Sequence, residues 1–249
     1  MRVIGVIPSR WGSTRFPGKS LHPICGKPLV AWVVAAAQRA RRLDDVIVAT
    51  DDERIASAVR QTGAKVAMTR ADHPSGTDRV AEAAQAGDDD IVINIQGDEP
   101  LIDPEIIDAL AARLAGDRVW DMATVACPIT NRRDLDARSV VKVVMDRAGG
   151  ALYFSRLPIP CQRDGEPDLA SGLYLRHIGI YAYRGAFLNR VVKEPPCALE
   201  RAESLEQLRA MHIGGRIAVI VVQHPGVGVD TPEDVGYVEA EMRRRGLER

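Results

Sequence analysis

Short apolar runs and longer apolar stretches alternate along the first half of the chain, separated by polar segments. Val3 to Ile7 is a β-branched run ending at Pro8, and after a polar loop Leu29 to Ala40 is long enough for a buried helix. The unit repeats. Val46 to Ala49 predicts a strand, Asp51, Asp52 and Glu53 suit a helix N-terminus, and Gly63 supplies a left-handed stop. Lys65 to Met68 predicts a third strand, Val80 to Ala86 a helix closed by Gly87, and Ile91 to Ile95 a fourth strand. Asp103, Pro104 and Glu105 open the next helix as N-cap, first helical position and first-turn acid, and Gly116 ends it.

Strands that are apolar throughout, alternating with helices, predict a mostly parallel, doubly wound α/β sheet of Rossmann-like type with both faces covered. Beyond Trp120 the pattern changes. Met122 to Cys127, Val140 to Met145 and Tyr174 to Tyr183 are apolar segments separated by Pro-rich and charged loops, which predicts mixed or antiparallel strands. Gly185 to Val192 and Leu199 to Met211 read as helices, Ile217 to Val222 as a last strand, and Thr231 to Arg245 as a closing helix. No linker or internal repeat divides the chain, so the expectation is one domain over residues 1–249 with a smaller mixed sub-lobe from about residue 120 to residue 215.

A chain of 249 residues with 46% hydrophobic and 27% charged positions can bury a core, which excludes a largely disordered protein. The formal charge of -1 excludes a global basic field, so nucleic acid is not an expected partner and any anionic ligand must be held locally. No apolar run reaches membrane-spanning length and the first residues form no signal peptide, so the expected location is the cytoplasm. Cys25, Cys127, Cys161 and Cys197 are widely spaced, which fits neither a zinc cage nor a disulfide framework.

The first loop, Ser9 to Ser20, follows the first strand, where open α/β sheets bind ligands. It is not a Walker A loop, because five residues rather than four separate Gly12 from Gly18 and Pro17 lacks the N–H of a phosphate cradle. Arg10, Arg15 and Lys19 nonetheless supply cations for a polyphosphate, with donors from Gly12 and Ser13. The same residues also describe an ordinary solvated basic loop.

Asp98 follows the fourth strand after Gln96 and Gly97, which places it at the carboxyl end of the sheet as a metal-ligand candidate, with Gly97 allowing close backbone approach to a ligand. A turn-forming Asp would read alike. In Thr231-Pro232-Glu233-Asp234 the helix has its own N-cap, first-position Pro and first-turn acid, which leaves Asp230 as a second carboxylate for a hard cation such as Mg²⁺. His177 and Tyr181 share one strand face with Gly179 between them, as either a pocket wall or a buried structural pair. Glu200, Glu203 and Gln207 share one helix face, as either ligands or a solvated stripe.

Arg10-x-x-Ser13-Thr14-Arg15-x-Pro17-Gly18-Lys19 resembles the signature of nucleotidyltransferases that make CMP-sugars. Thr69 to Arg79, Asn94 to Pro100, Ala151 to Arg156, Arg176 to Tyr181 and Gly228 to Asp234 resemble, in order, blocks of the 3-deoxy-D-manno-octulosonate (Kdo) cytidylyltransferase family. The likeness spans nearly the whole chain. It implies a nucleotide-diphospho-sugar transferase type of fold, CTP and Kdo as substrates, Mg²⁺ as cofactor and a homodimer built through the middle lobe.

Carried over residue by residue, the resemblance implies Asp98 and Asp230 as metal ligands and Arg10, Gly12, Ser13, Arg15 and Lys19 around the triphosphate. It implies Arg70, Ser75 and Gly76 at the base, and Gln96, Arg156, His177, Tyr181, Glu203 and Gln207 at the sugar. The implied reaction is attack of the Kdo anomeric hydroxyl on the α-phosphorus, giving CMP-Kdo and pyrophosphate for lipopolysaccharide assembly. The alternatives are a cytidylyltransferase for another acidic sugar, such as 8-amino-Kdo or sialic acid, and a non-catalytic nucleotide-binding protein of the same fold. A dehydrogenase is disfavoured, since the first loop has no G-x-G-x-x-G.

Overall fold

The computed structural model describes residues 1–12, 16–223 and 226–247. In chain order the strands and α-helices are β1 Val3–Pro8, β2 Pro23–Ile24, β3 Lys27–Pro28, α1 Leu29–Ala37, β4 Asp45–Thr50, α2 Glu53–Arg60, β5 Lys65–Met68 and α3 Gly76–Ala84. Then come β6 Ile91–Asn94, α4 Pro104–Gly116, β7 Met122–Pro128, α5 Arg132–Asp136, β8 Lys142–Met145 and β9 Ala151–Ser155. The chain closes with β10 Leu175–Arg184, α6 Gly185–Val191, α7 Ala198–Glu203, α8 Gln207–His212, β11 Ile217–Val221 and α9 Asp234–Arg244.

The main sheet runs β11-β7-β10-β6-β1-β4-β5. Along that path only β10 is antiparallel, lying between β6 and β7, and β8 and β9 extend from β10 as an antiparallel flank. Alternation along the strands divides the core. Val3, Ile7, Ile91, Ile93, Val125 and Cys127 pack beneath α1, α2 and α4, while Ile4, Val6, Val92, Met122 and Ala126 pack beneath α3, α6 and α8. The sheet is therefore doubly wound, as the apolar strands predict.

β1 pairs with β4 on one side and β6 on the other, both parallel, so successive crossovers leave β1 in opposite directions. That divergence opens a crevice at the carboxyl ends of β1 and β6. At its floor an added Cβ on Gly97 would lie 2.6 Å from the Pro8 carbonyl oxygen. The close approach that Gly97 makes here is to the neighbouring strand's backbone, and the residue also lines the cleft.

Several helices depart from the expected boundaries: α1 stops at Ala37 rather than Ala40, and α5 falls in a stretch read as loop. α3 begins at Gly76 rather than Val80, because Ser75 caps it, accepting from the Asp78 N–H at 3.3 Å and donating to Asp78 Oδ2 at 2.7 Å. It ends through Gln85 in the left-handed region, at φ 44°, rather than at Gly87. The stretch Leu199 to Met211 is two helices. Ser204 takes φ 50° and the chain turns back, clasped by the Glu200–Arg209 ion pair at 2.6 Å with both side chains almost fully buried. α9 starts at Asp234, whose Oδ2 accepts the N–H groups of Asp230 at 2.9 Å and Thr231 at 2.7 Å, so Asp234 rather than Thr231 organises the turn that presents Asp230.

Candidate active site

A cleft of about 380 Å³ occupies the crevice, lined by Ser9 and Arg10 after β1, Lys19 and Ser20, the 73–76 segment before and at the start of α3, and Arg79. Gln96, Gly97 and Asp98 after β6, with Asp230 and Glu206, complete it. This is a size suited to a small polar ligand.

Lys19 stands at its centre. Its Nζ donates to Asp98 Oδ2 at 2.7 Å and to the Val229 carbonyl oxygen at 2.8 Å, and lies 3.8 Å from Asp230 Oδ1. The Val229 N–H in turn donates to the Asp98 carbonyl oxygen at 2.8 Å, which ties the two carboxylate-bearing loops together across more than half the chain. The carboxylates proposed from sequence do meet, and the group between them is a lysine.

Beside them, Glu99 is partly buried, and its enclosed Oε2 lacks a hydrogen-bond partner. Burial, reinforced by the negative charges of Asp98 and Asp230, pushes its carboxyl up to about 7, against a smaller opposing effect of Arg176. Hard oxygen donors concentrated here, one of them uncompensated, fit a divalent cation that takes one or two protein carboxylates and completes its shell with phosphate and water oxygens. Asp98 and Asp230 are the residues that would hold it.

Ser75, Gly76 and His73 form the opposite wall. His73 Nε2 is hydrogen-bonded to Glu82 Oε2 and its Nδ1 is buried without a partner, while the Arg70 N–H donates to Glu82 Oε1 at 3.3 Å. Glu82 thus pins both ends of the 70–73 turn to α3. Arg70 itself is exposed and does not line the cleft. Arg79, buried against Thr69 Oγ1 at 2.5 Å and Asp51 Oδ2 at 3.4 Å, braces the same wall from below.

The residues assigned to the sugar are divided. Gln96 lines the cleft. His177 and Tyr181 share a face, with ring centroids 5.4 Å apart, although a bulge interrupts β10 between Ile178 and Tyr181. The bulge inserts two residues, Gly179 and Ile180, so the side-chain alternation is preserved; Thr124 Oγ1 fills the gap, donating to the Ile180 carbonyl at 2.8 Å and contacting His177 Nε2 at 3.0 Å. Loss of solvent around the imidazole on burial lowers its pKa to about 3, so it is neutral near pH 7. Tyr181 Oη donates to Gln207 Oε1 at 3.2 Å, and burial raises its phenol well above the ordinary range.

Arg156 and Glu203 do not reach the cleft. Glu203 accepts from Ser155 Oγ at 2.9 Å and from the Arg156 N–H at 2.9 Å, while the Arg156 guanidinium donates to the carbonyls of Glu203, Arg138 and Ser204. Because the helix breaks at Ser204, Glu200, Glu203 and Gln207 do not form one stripe. The first is paired with Arg209, the second with Ser155 and Arg156, and the third is buried against Tyr181. Glu206, inside the stretch from Glu203 to Gln207 that the resemblance places at the sugar but not singled out there, is the residue of this region that lines the cleft, accepting from Thr77 Oγ1 at 2.8 Å. Gly12 is exposed and is not among the residues lining the cleft, and Ser13 and Arg15 lie outside the described residues.

His73 and Arg79 also carry no role from sequence, although the signal was present in His73-x-Ser75-Gly76-Thr77-Asp78-Arg79, where a capping Ser precedes an Arg on the first turn's inner face. Lys142 was equally unannounced. It is fully buried, with Nζ donating to the carbonyls of Ala137, Val140 and Arg156, and burial lowers its pKa.

A doubly wound sheet whose switch point holds cations, carboxylates and a polar wall defines a nucleotide-binding α/β protein. The chain belongs to the cytidylyltransferase family, whose profile matches residues 4–217. It is 47% identical to a 3-deoxy-manno-octulosonate cytidylyltransferase of Bdellovibrio bacteriovorus, over 99% of this chain and all of that one. It is 48% identical to the protein of the same name from Geobacter sulfurreducens, over 98% of this chain and all of that one. Among solved structures, CMP:2-keto-3-deoxy-manno-octonic acid synthetase complexed with CTP superposes with a TM-score of 0.92 at 42% identity, covering 98% of this chain and all of that one.

Proposed function

We propose that the protein transfers CMP from CTP to the anomeric hydroxyl of 3-deoxy-manno-octulosonate, giving CMP-Kdo and pyrophosphate. The observation that carries this reading is the meeting of Lys19, Asp98 and Asp230 at the switch-point cleft, in a chain whose full-length relatives bear that enzyme's name. A CTP-bound neighbour at 42% identity supports the choice of nucleotide.

The sugar hydroxyl attacks the α-phosphorus and pyrophosphate leaves. Mg²⁺, held by Asp98 and Asp230, supplies Lewis-acid neutralisation of charge on the phosphoryl oxygens when bound. Arg10 faces the triphosphate from the cleft rim, where a positive charge favours departure of a poly-anionic leaving group. Ser75 and Gly76 border the base, and Gln96 and Glu206 border the sugar. Catalysis in this arrangement is positioning plus electrostatics.

A homodimer is proposed through the middle lobe, where the outer flank of β8 and β9 leaves Met145, Leu152 and Leu157 exposed. Among the described residues no helix is long and apolar enough to cross a membrane, and a cytoplasmic location accords with a substrate such as CTP.

The test is pyrophosphate release by purified protein with Mg²⁺ and each of CTP, UTP and ATP, against Kdo, 8-amino-Kdo and N-acetylneuraminate. Release confined to CTP with Kdo is expected. Release with a different sugar would redirect the acceptor assignment, and absence of release with every pair would refute the catalytic reading.

A further inference from the structure

We infer that Lys19 is a resident counter-ion for the carboxylates at the cleft, standing in the metal's place until nucleotide and metal arrive together and exchange it. The inference rests on the proposed reading of Asp98 and Asp230 as metal ligands. It goes beyond a lysine that only contacts phosphate.

The geometry is that of an ammonium already paired, with two hydrogen bonds and a third, longer ionic contact. Nζ has three protons and meets Asp98 Oδ2 at 2.7 Å, the Val229 carbonyl at 2.8 Å and, more distantly, Asp230 Oδ1 at 3.8 Å. The lysine side chain is 14% exposed, against 30% for Asp98 and 55% for Asp230, so the cation is the innermost member of the group and not a tip swinging in solvent. It is held there by the left-handed turn at Gly18 and the helical turn Lys19–Leu21, with Ser20 anchored to Ser9 Oγ at 2.7 Å.

A divalent cation held by Asp98 and Asp230 would compete with the ammonium, because Nζ already occupies Asp98 Oδ2 and the two positive charges repel each other. Among the described residues no three metal-ligating side chains cluster anywhere. Two carboxylates alone are too few donors for Mg²⁺, which looks to phosphate oxygens for the rest of its shell. Nucleotide therefore supplies both the missing ligands and a new anionic partner for the displaced lysine. Asp98 is charge-compensated in both states, by lysine before exchange and by metal after it.

Such competition makes a prediction opposite in sign for two ligands. Removing the lysine charge should tighten metal binding to the nucleotide-free protein while weakening CTP binding. A lysine that serves phosphate alone would leave nucleotide-free metal affinity unchanged.

The experiment is titration of Mn²⁺ into full-length wild type, Lys19→Met and Lys19→Met/Asp98→Asn without nucleotide, read by the loss of the free-ion electron paramagnetic resonance signal. Thermal melting of each protein with and without Mn²⁺ runs alongside. Lys19→Met should bind Mn²⁺ about ten-fold more tightly than wild type, the difference an order-of-magnitude expectation for removing one competing charge-assisted contact. The double variant should lose that gain, and Mn²⁺ should raise the Tm of Lys19→Met more than that of wild type. Equal or weaker Mn²⁺ binding by folded Lys19→Met, or a gain that survives Asp98→Asn, would overturn the inference. If Lys19→Met is unfolded without metal, recovery of a cooperative melt on adding Mn²⁺ supports the exchange and failure to recover it contradicts it. Wild-type pyrophosphate release with CTP and Kdo is scored separately, so the exchange can fail while the functional reading stands, and the reverse.

Discussion

The two sides of the cleft use polar residues in opposite ways. At the ends of β1 and β6, Lys19, Asp98 and Asp230 come from segments far apart in sequence and converge on open space. In the lobe that carries β9, α7 and α8, the polar groups are turned on one another. Glu203 is consumed by Ser155 and Arg156, Glu200 by Arg209, and Tyr181 by Gln207. The contrast teaches that the chemical identity of a side chain says less about function than whether it borders open space, since Lys19, Asp98 and Asp230 line the cleft and Glu200, Glu203 and Tyr181 do not.

Substitutions on the two sides should therefore break different properties. The largest effect is expected from Asp98→Asn, which should lower kcat by on the order of 10³-fold or more, since the group it removes stabilises charge only at the reacting centre. Circular dichroism should show the fold retained, because Asp98 borders the cleft and not the core. Wild-type turnover in this variant would end the distinction between the two sides.

Next comes Glu200→Ala, which leaves Arg209 buried without its partner and should destabilise the fold by about 3–5 kcal/mol in urea denaturation. A loss below 1 kcal/mol would mean that the clasp between α7 and α8 is not a structural element. Glu203→Gln, which weakens acceptance from Ser155 Oγ and the Arg156 N–H, should cost about 1–3 kcal/mol of stability. If the polar groups of this lobe serve structure rather than the acceptor, KM for Kdo should not move in this variant, and steady-state kinetics at fixed CTP would check it.

The effect that is smallest at neutral pH, and grows only in acid, concerns His177. The His177 pKa, about 3 in the fold against 6.5 ordinarily, means that the unfolded chain binds a proton before the folded one does. The stability contributed by keeping this imidazole neutral is whole above about pH 6.5 and is progressively lost as pH falls toward 3. His177→Gln should flatten that part of the acid limb of a Tm-against-pH curve. An unchanged limb would show the imidazole to be freely solvated.

Much of this was legible in the sequence because the controlling patterns are local. β5 spans Lys65–Met68 as the sequence predicts, and α4 begins after Asp103 because Asp-Pro-Glu supplies cap, fixed φ and dipole complement together. The start of α3 was missed because Ser75-x-x-Asp78 is a short polar cap without an apolar run to mark it, and apolar periodicity sees nothing before Val80. The break at Ser204 was invisible for another reason: it is enforced by a long-range pair, Glu200 with Arg209, that periodicity cannot register.

The same division holds at the site. Asp98 and Asp230 could be singled out individually, one by its place after a strand and the other by its surplus to capping, and they do meet. That Lys19 lies between them, or that Glu206 rather than Glu203 faces the cleft, depends on how two loops and a broken helix pack. The resemblance of motifs carried residue types to the right neighbourhood, and only packing determined which of their atoms remained available.

The central claim is that Asp98 and Asp230 form the seat of a divalent cation that nucleotide completes. Crystals grown with Mn²⁺ and a non-hydrolysable CTP analogue, measured at a wavelength where manganese scatters anomalously, address it most directly. The account predicts an anomalous peak within coordinating distance of both carboxylates and of a phosphate oxygen, with Lys19 Nζ withdrawn from Asp98. A peak confined to the triphosphate with Lys19 still on Asp98, or no peak beside either carboxylate, would contradict it.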